Sequence, residues 1–189
     1  MGETLNIPPF PPLTWDEYSW VGEVRFPSWV GFQTRGGAYA SVSEEAASDG
    51  SARLTVDAEA KARPTSEQVA AYRHLLDNEA AVAQAVGHAL LEYYPGQREA
   101  YLKGYGLTAS AEVPEVTDLA GLRSLVGLSS VHVLSLARDG VACIGFEFGC
   151  AWDEEHGAGV MTHRGRVIAI GQADCSFVEW IAEEGLDKQ

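Results

Sequence analysis

Residues 141–175, VACIGFEFGCAWDEEHGAGVMTHRGRVIAIGQADC, decide the fold. From Val141 onward the even positions Ala142, Ile144, Phe146, Phe148, Cys150 and Trp152 are all apolar, while Glu147 falls on an odd one. A strand sends successive side chains to opposite faces, so this pattern predicts a half-buried strand with Trp152 anchoring its end in the core. Asp153, Glu154, Glu155 and His156 follow directly, and Gly157 frees the backbone for a turn. Gly159 to Gly171, interrupted at Arg164-Gly165, returns as the next strand. Upstream, Arg138-Asp139-Gly140 carries the Asp-Gly hairpin signature and joins a strand over Ser130–Ala137. Residues 176–184 are compatible with a last helix.

Working toward the N-terminus, the period changes to that of a helix. Pro64-Thr65-Ser66-Glu67-Gln68 reads as a helix start, with Thr65 as N-cap and Gln68 closing a capping box. Val69, Tyr72, Leu76, Ala80, Ala83, Val86, Leu90 and Tyr94 then recur at helical spacing. Asp77-Asn78 either caps a second helix or sits within one long one. Pro95-Gly96 is expected to end the helical region, and Thr117–Leu125 to form a short helix. Before the helices, Val21–Phe26, Phe32–Val42 and Ala52–Ala58 read as strands. Ser43–Ser51 is a polar acidic loop holding Glu44, Glu45 and Asp49, ended by the Asp49-Gly50 turn signal.

Strands, then helices, then strands, without βαβ alternation, predict an α+β fold. The expectation is a largely antiparallel sheet, with about three N-terminal and three C-terminal strands, covered by a central helical pair. Residues 21–189 are read as its single domain. Residues 1–20 are read as an arm, because Pro8, Pro9, Pro11 and Pro12 disfavour regular structure. Its aromatics Phe10, Trp15, Tyr18 and Trp20 are expected to pack on the domain's own core, since exposed they would form a sticky patch.

Of 189 residues, 46% are hydrophobic, enough for a core without staples. Asp and Glu outnumber Lys and Arg 27 to 13, a formal charge of −14. Such a surface repels phosphate backbones and anionic headgroups, which argues against nucleic-acid or membrane partners and favours a basic protein. Three widely spaced cysteines, Cys143, Cys150 and Cys175, suit reduced thiols in the cytoplasm. Neither a signal peptide nor an apolar run of membrane-spanning length is present in the sequence.

Two catalytic readings compete with a plain acidic hairpin. Asp153, Glu155 and His156, joined by His163, offer oxygen and imidazole ligands for a divalent metal in a hydrolase-like enzyme. Against this, adjacent turn residues cannot all point at one ion, and a locally hydrogen-bonded His156 is the simpler account. Cys150 or Cys175 could pair with His156 or His163. Cys150 lies on the apolar face, however, and Cys175 sits beside Asp174 without a cation to favour its thiolate. His74, His88 and His132 read as packing or surface histidines. Nucleophile elbow, Walker and Rossmann patterns are absent from the sequence.

Trp152-Asp153-Glu154-Glu155-His156-Gly157-Ala158-Gly159-Val160, followed by Arg166-Val167 and Ile170-Gly171, resembles the C-terminal signature of an uncharacterised bacterial domain family. The segments Ser28-Trp29 and Thr65-Ser66-Glu67-Gln68 through Tyr93-Tyr94 resemble its earlier parts, so the likeness spans roughly residues 20–175. Its members resemble immunity proteins encoded beside polymorphic toxins, and the resemblance carries no catalytic residues. Together with the acidic charge and the absence of catalytic motifs, it implies a non-enzymatic protein-binding module, without cofactor, that neutralises a toxin, and the acidity favours a basic toxin domain. Trp152, Asp153, Glu154, Glu155 and His156, with Glu44, Glu45 and Asp49, are the expected contact residues.

Overall fold

The computed structural model describes residues 4–34 and 47–188. Among the described residues eight strands form one sheet whose spatial order follows the chain. They are β1 (Thr4–Leu5), β2 (Leu13–Trp15), β3 (Ser19–Val30), β4 (Asp49–Asp57), β5 (Val126–Arg138), β6 (Val141–Cys150), β7 (Ala158–His163) and β8 (Arg166–Gly171). Neighbours run antiparallel everywhere except β4 and β5, which are parallel. A parallel pair requires a crossover. Here the crossover carries α1 (Ser66–Asp77), α2 (Glu79–Gly104) and α3 (Leu119–Leu122), and α4 (Glu179–Asp187) follows β8. The protein is therefore α+β, with a mostly antiparallel sheet made of two meanders laid side by side.

The sheet has eight strands where the sequence suggested about six. Arg164 and Gly165 both take positive φ, 51° and 74°, and turn the chain tightly enough to split residues 159–171 into β7 and β8. At the other end, β1 and β2 flank the four prolines, which lack donors for a ladder and lie in the connection between them. Phe10 and Trp20 are buried, Phe10 stacks on Tyr72 at 4.8 Å and Trp15 is partly buried against the core, but Tyr18, expected to pack there too, is 82% exposed. The strand expected over Phe32–Val42 does not form at Phe32–Thr34, and residues 35–42 lie outside the described residues. Asp49-Gly50 opens β4 instead of ending a loop. Gly50 has φ +89° where the β3–β4 register shifts, and a Cβ there would stand 2.5 Å from the Phe26 carbonyl oxygen.

The predicted capping box starts α1. Gln68 N donates to Thr65 Oγ1 at 3.2 Å, and Thr65 N donates to Gln68 Oε1 at 2.9 Å. Gln68 is only 1% exposed, and its Nε2 also donates to the Asp57 carbonyl at 2.8 Å, tying α1 to the end of β4. Asn78 separates α1 from α2, so the helical run is two helices. Contrary to expectation, α2 continues through Pro95 to Gly104. An interior proline costs about 3 kcal/mol. Tyr94 and Leu102, buried on either side of it, offset that, since burying a large apolar side chain contributes about 1.5–3 kcal/mol.

Strand parity divides the sheet into two faces. Val131, Val133, Ile144, Phe146, Phe148 and Val160 share the main core with α1 and α2. Leu134, Cys143 and Met161 point the other way and are buried under Ala182 and Leu186 of α4. All six even-numbered residues from Ala142 to Trp152 are buried, as the alternation predicts. A short 3-10 turn, Ala173–Ser176, crosses this second face at two glycines. A Cβ on Gly145 would lie 1.6 Å from the Ser176 carbonyl oxygen, and one on Gly159 would lie 2.5 Å from that of Gln172.

Candidate functional site

The turn joining β6 to β7 is built on Asp153. Its Oδ1 accepts from the His156 backbone N–H at 3.0 Å and lies 3.0 Å from His156 Nδ1. Its Oδ2 accepts from Gln172 Nε2 at 3.0 Å, and its carbonyl accepts from Gly157 N at 2.8 Å. Cys150 Sγ donates to that same carbonyl at 3.4 Å. Gly157 closes the turn at φ +64° with its Cβ position 2.5 Å from the Phe148 carbonyl oxygen, so only glycine fits. The His156 carbonyl accepts from Ala173 N at 3.0 Å, which fastens the turn to the 3-10 segment after β8. Trp152 is 7% exposed and its ring lies 5.1 Å from that of Tyr94. Trp152 and Asp153 thus hold the turn in place, while Glu154 and Glu155 remain exposed.

These two glutamates border a groove of about 760 Å³. One wall is the turn from Ala151 to Glu155, another the end of α2 with Tyr101 and Tyr105, and a third the connector residues Ala111, Glu112 and Pro114. Ala151 N donates to the Leu125 carbonyl at 2.8 Å, which fixes the first wall to the start of β5. The Tyr101 and Tyr105 rings lie 4.7 Å apart, and Tyr105 is 70% exposed. Tyr101 Oη donates to Glu112 Oε2. That bond, with some burial and the Glu112 charge, pushes the Tyr101 hydroxyl up to about 12 and holds it protonated as a donor.

The metal set weighed as the alternative reading does not assemble. Asp153 and His156 meet, but Glu155 is exposed at the groove and His163 lies at the far end of β7. The register pairs Phe148 with Ala158 near the turn and Cys143 with His163 at the other end, a separation of roughly 17 Å at about 3.4 Å per residue. His163 is buried, its Nε2 donating toward the Arg138 and Val141 carbonyls at 3.1 and 3.2 Å. Among the described residues no three His, Cys, Asp or Glu side chains gather as metal ligands would. The cysteines are buried, and burial pushes the Cys143 and Cys175 thiols up to about 11, away from the thiolate. Asp49 sits apart on β4, paired with Arg25 at 3.3 Å, and Glu44 and Glu45 lie outside the described residues.

Two features escaped sequence reasoning. The tyrosine wall of the groove needs α2 to pass Pro95, which the sequence argues against. The other feature is a chain of polar side chains on the opposite sheet face. There Thr55 Oγ1 lies 2.7 Å from His132 Nδ1, and His132 Nε2 lies 2.8 Å from Glu147 Oε2. The Asp139-Gly140 hairpin signal was sufficient to put His132 and Glu147 on one face of adjacent strands, although not to bring in Thr55.

No helix among the described residues is long and apolar enough to cross a membrane. No curated protein and no solved structure matches the chain. A family model, Domain of unknown function (DUF6985), matches residues 20–178. It spans β3 from its second residue, β4 to β8, the crossover helices and the whole Trp152–Gly157 turn, so the chain belongs to the DUF6985 family.

Proposed function

We propose that the protein is a protein-binding module that captures a basic polypeptide through the groove between the Asp153 turn and the end of α2. The observation that carries this reading is the composition of the groove walls, where Glu112, Glu154 and Glu155 stand with the tyrosine pair. Exposed tyrosines give contact area at low entropic cost and stack on guanidinium groups. Carboxylates on a chain of net charge −14 speed the encounter with a cationic partner. The resemblance to immunity proteins supports a specific version in which the partner is a basic toxin domain neutralised in the cytoplasm.

Co-expression with the toxin gene from its own genomic neighbourhood, followed by affinity measurement on the purified pair, tests this. Protection from growth arrest is expected, with an affinity that falls as salt rises. The triple variant E112Q/E154Q/E155Q removes three rim charges worth about 0.2–1 kcal/mol each, and should weaken binding roughly threefold to a hundredfold. An unchanged affinity in that variant, or no protection by the wild type, would sink the proposal.

A further inference from the structure

The polar chain on the second sheet face has the connectivity of a catalytic relay. We propose that Thr55, His132 and Glu147 form a nucleophilic hydroxyl–imidazole–carboxylate site that accepts the acyl group of activated carboxylic esters. This is a second activity, on the opposite face of the sheet from the groove.

The protein imposes the direction of the relay. A carboxylate can only accept, so at 2.8 Å from Glu147 Oε2 the proton of the imidazole resides on Nε2. Nδ1 then presents its lone pair, and the Thr55 hydroxyl, 2.7 Å away, donates to it. A nucleophile within hydrogen-bond reach of a base, itself oriented by a third group, is the arrangement that activates a hydroxyl. The three groups sit on rigid neighbouring strands: Thr55 is in register with His132 across β4 and β5, and Glu147 is diagonal to it on β6, opposite Ser130. The His132 and Glu147 side chains are 12% and 30% exposed, and Thr55 is half-buried, so the site opens to solvent on one side. Phe177 packs edge-on against the imidazole at 5.4 Å and supplies an apolar wall. Asp57, next along the same face of β4, lies close enough to His132 to interact with its charge. Glu147, bonded to Nε2, is the partner for the imidazolium formed when Thr55 gives up its proton.

In the first step Thr55 Oγ1 attacks the ester carbonyl carbon and its proton moves to His132 Nδ1. The bond from that carbon to the leaving oxygen then breaks, and the departing alcohol takes the proton from Nδ1. An acyl-Thr55 ester remains. Water, deprotonated by the same Nδ1, attacks it, the acid leaves, and the proton returns to Thr55.

The test uses p-nitrophenyl acetate with the full-length protein, reading p-nitrophenol release and locating the acetyl group by peptide mass spectrometry. Acetylation is expected on Thr55. General-base assistance is worth about 10²–10⁴-fold, so Thr55→Val and His132→Gln should each lower the rate by that order, while Thr55→Ser retains it. Glu147→Gln should act as a positioning change, lowering the rate while leaving acetylation on Thr55. Melting curves for each variant separate loss of reactivity from loss of fold. An acetyl group found only on other residues of the wild type overturns the proposal without recourse to any variant. A Thr55→Val protein that reacts as fast as the wild type overturns it as well.

Discussion

Gly145→Ala should be among the most damaging single-methyl changes in this protein. Gly145 is not at positive φ, so alanine is allowed by its own backbone and the cost is steric. The new Cβ would stand 1.6 Å from the Ser176 oxygen, 2.4 Å from its carbonyl carbon and 2.7 Å from its Cα. Ordinary carbon–oxygen contact needs about 3.5 Å, so the 3-10 turn must lift by well over 1 Å. It cannot lift alone, because Gly159 is clipped beneath the same turn and Ala173 N is bonded to the His156 carbonyl. Overpacking costs about 1–3 kcal/mol, and a lost hydrogen bond about 1 kcal/mol more. Opening the small core of Leu134, Met161, Ala182 and Leu186 beneath α4 brings the total to about 3–5 kcal/mol. At about 2–4 °C per kcal/mol for a chain of this size, the melting temperature should fall by roughly 6–20 °C. Gly140→Ala is the control: Gly140 has φ +77° with nothing within 4 Å of its Cβ position, so it should lose only about 1–2 kcal/mol. Urea titrations of both proteins decide the matter. If Gly145→Ala is no less stable than Gly140→Ala, the close approach of the turn is not what fixes a glycine at 145.

The Asp153 turn makes a second prediction. Asp153→Ala removes the acceptor for His156 N–H and Gln172 Nε2 and should lower stability by about 1–3 kcal/mol, read by denaturant midpoint. Glu155→Ala, at an exposed side chain, should stay within about 0.5 kcal/mol. The third concerns pH. Burial pushes the Asp57 carboxyl up from its ordinary 3.8, with the Glu179 charge acting the same way and the Ser135 N–H and His132 opposing. The folded state therefore holds this proton more tightly than the unfolded one. Its contribution to stability is present in full below the unfolded value and is lost as pH rises through the folded value. Asp57→Asn keeps an acceptor for Ser135 N–H and carries no charge. It should melt above the wild type at about pH 7, with the difference closing near about pH 3. A pH-independent difference would count against burial of the charge as the cause.

The alternation from Ala142 to Trp152 was legible because strand parity is rigid, and one buried face forces every second residue to be apolar. The capping box at Thr65 and Gln68 was legible for the same kind of reason, since both partners lie within one turn. What escaped notice depended on tertiary packing. Pro95 is a local stop signal overruled by burial of Tyr94 and Leu102, and this hid the tyrosines of the groove. Arg164-Gly165 was recognised as an interruption, yet the two positive φ values that make it a hairpin are properties of the folded chain. For Asp153, Glu155, His156 and His163 the sequence already argues against one ligand set, because adjacent turn residues diverge, and His156 is bonded locally to Asp153. The β6–β7 register sends His163 to the opposite end of the sheet, and the turn spends Asp153 on holding His156.

The parallel seam between β4 and β5, the one parallel pairing among the described residues, shapes how the chain reaches this state. Each meander pairs strands that follow one another in sequence, so each closes at smaller entropic cost than the seam between them. Joining them means pairing Arg53–Val56 with Ser130–Val133 across the whole helical insertion, the most non-local closure in the sheet. The seam is where the contact order concentrates, and so where folding should be slowest. It is also a natural dividing line, with residues 4–57 on one side and 126–171 on the other, along which the chain could be made as two fragments that reassemble across a single strand pair and its covering helices.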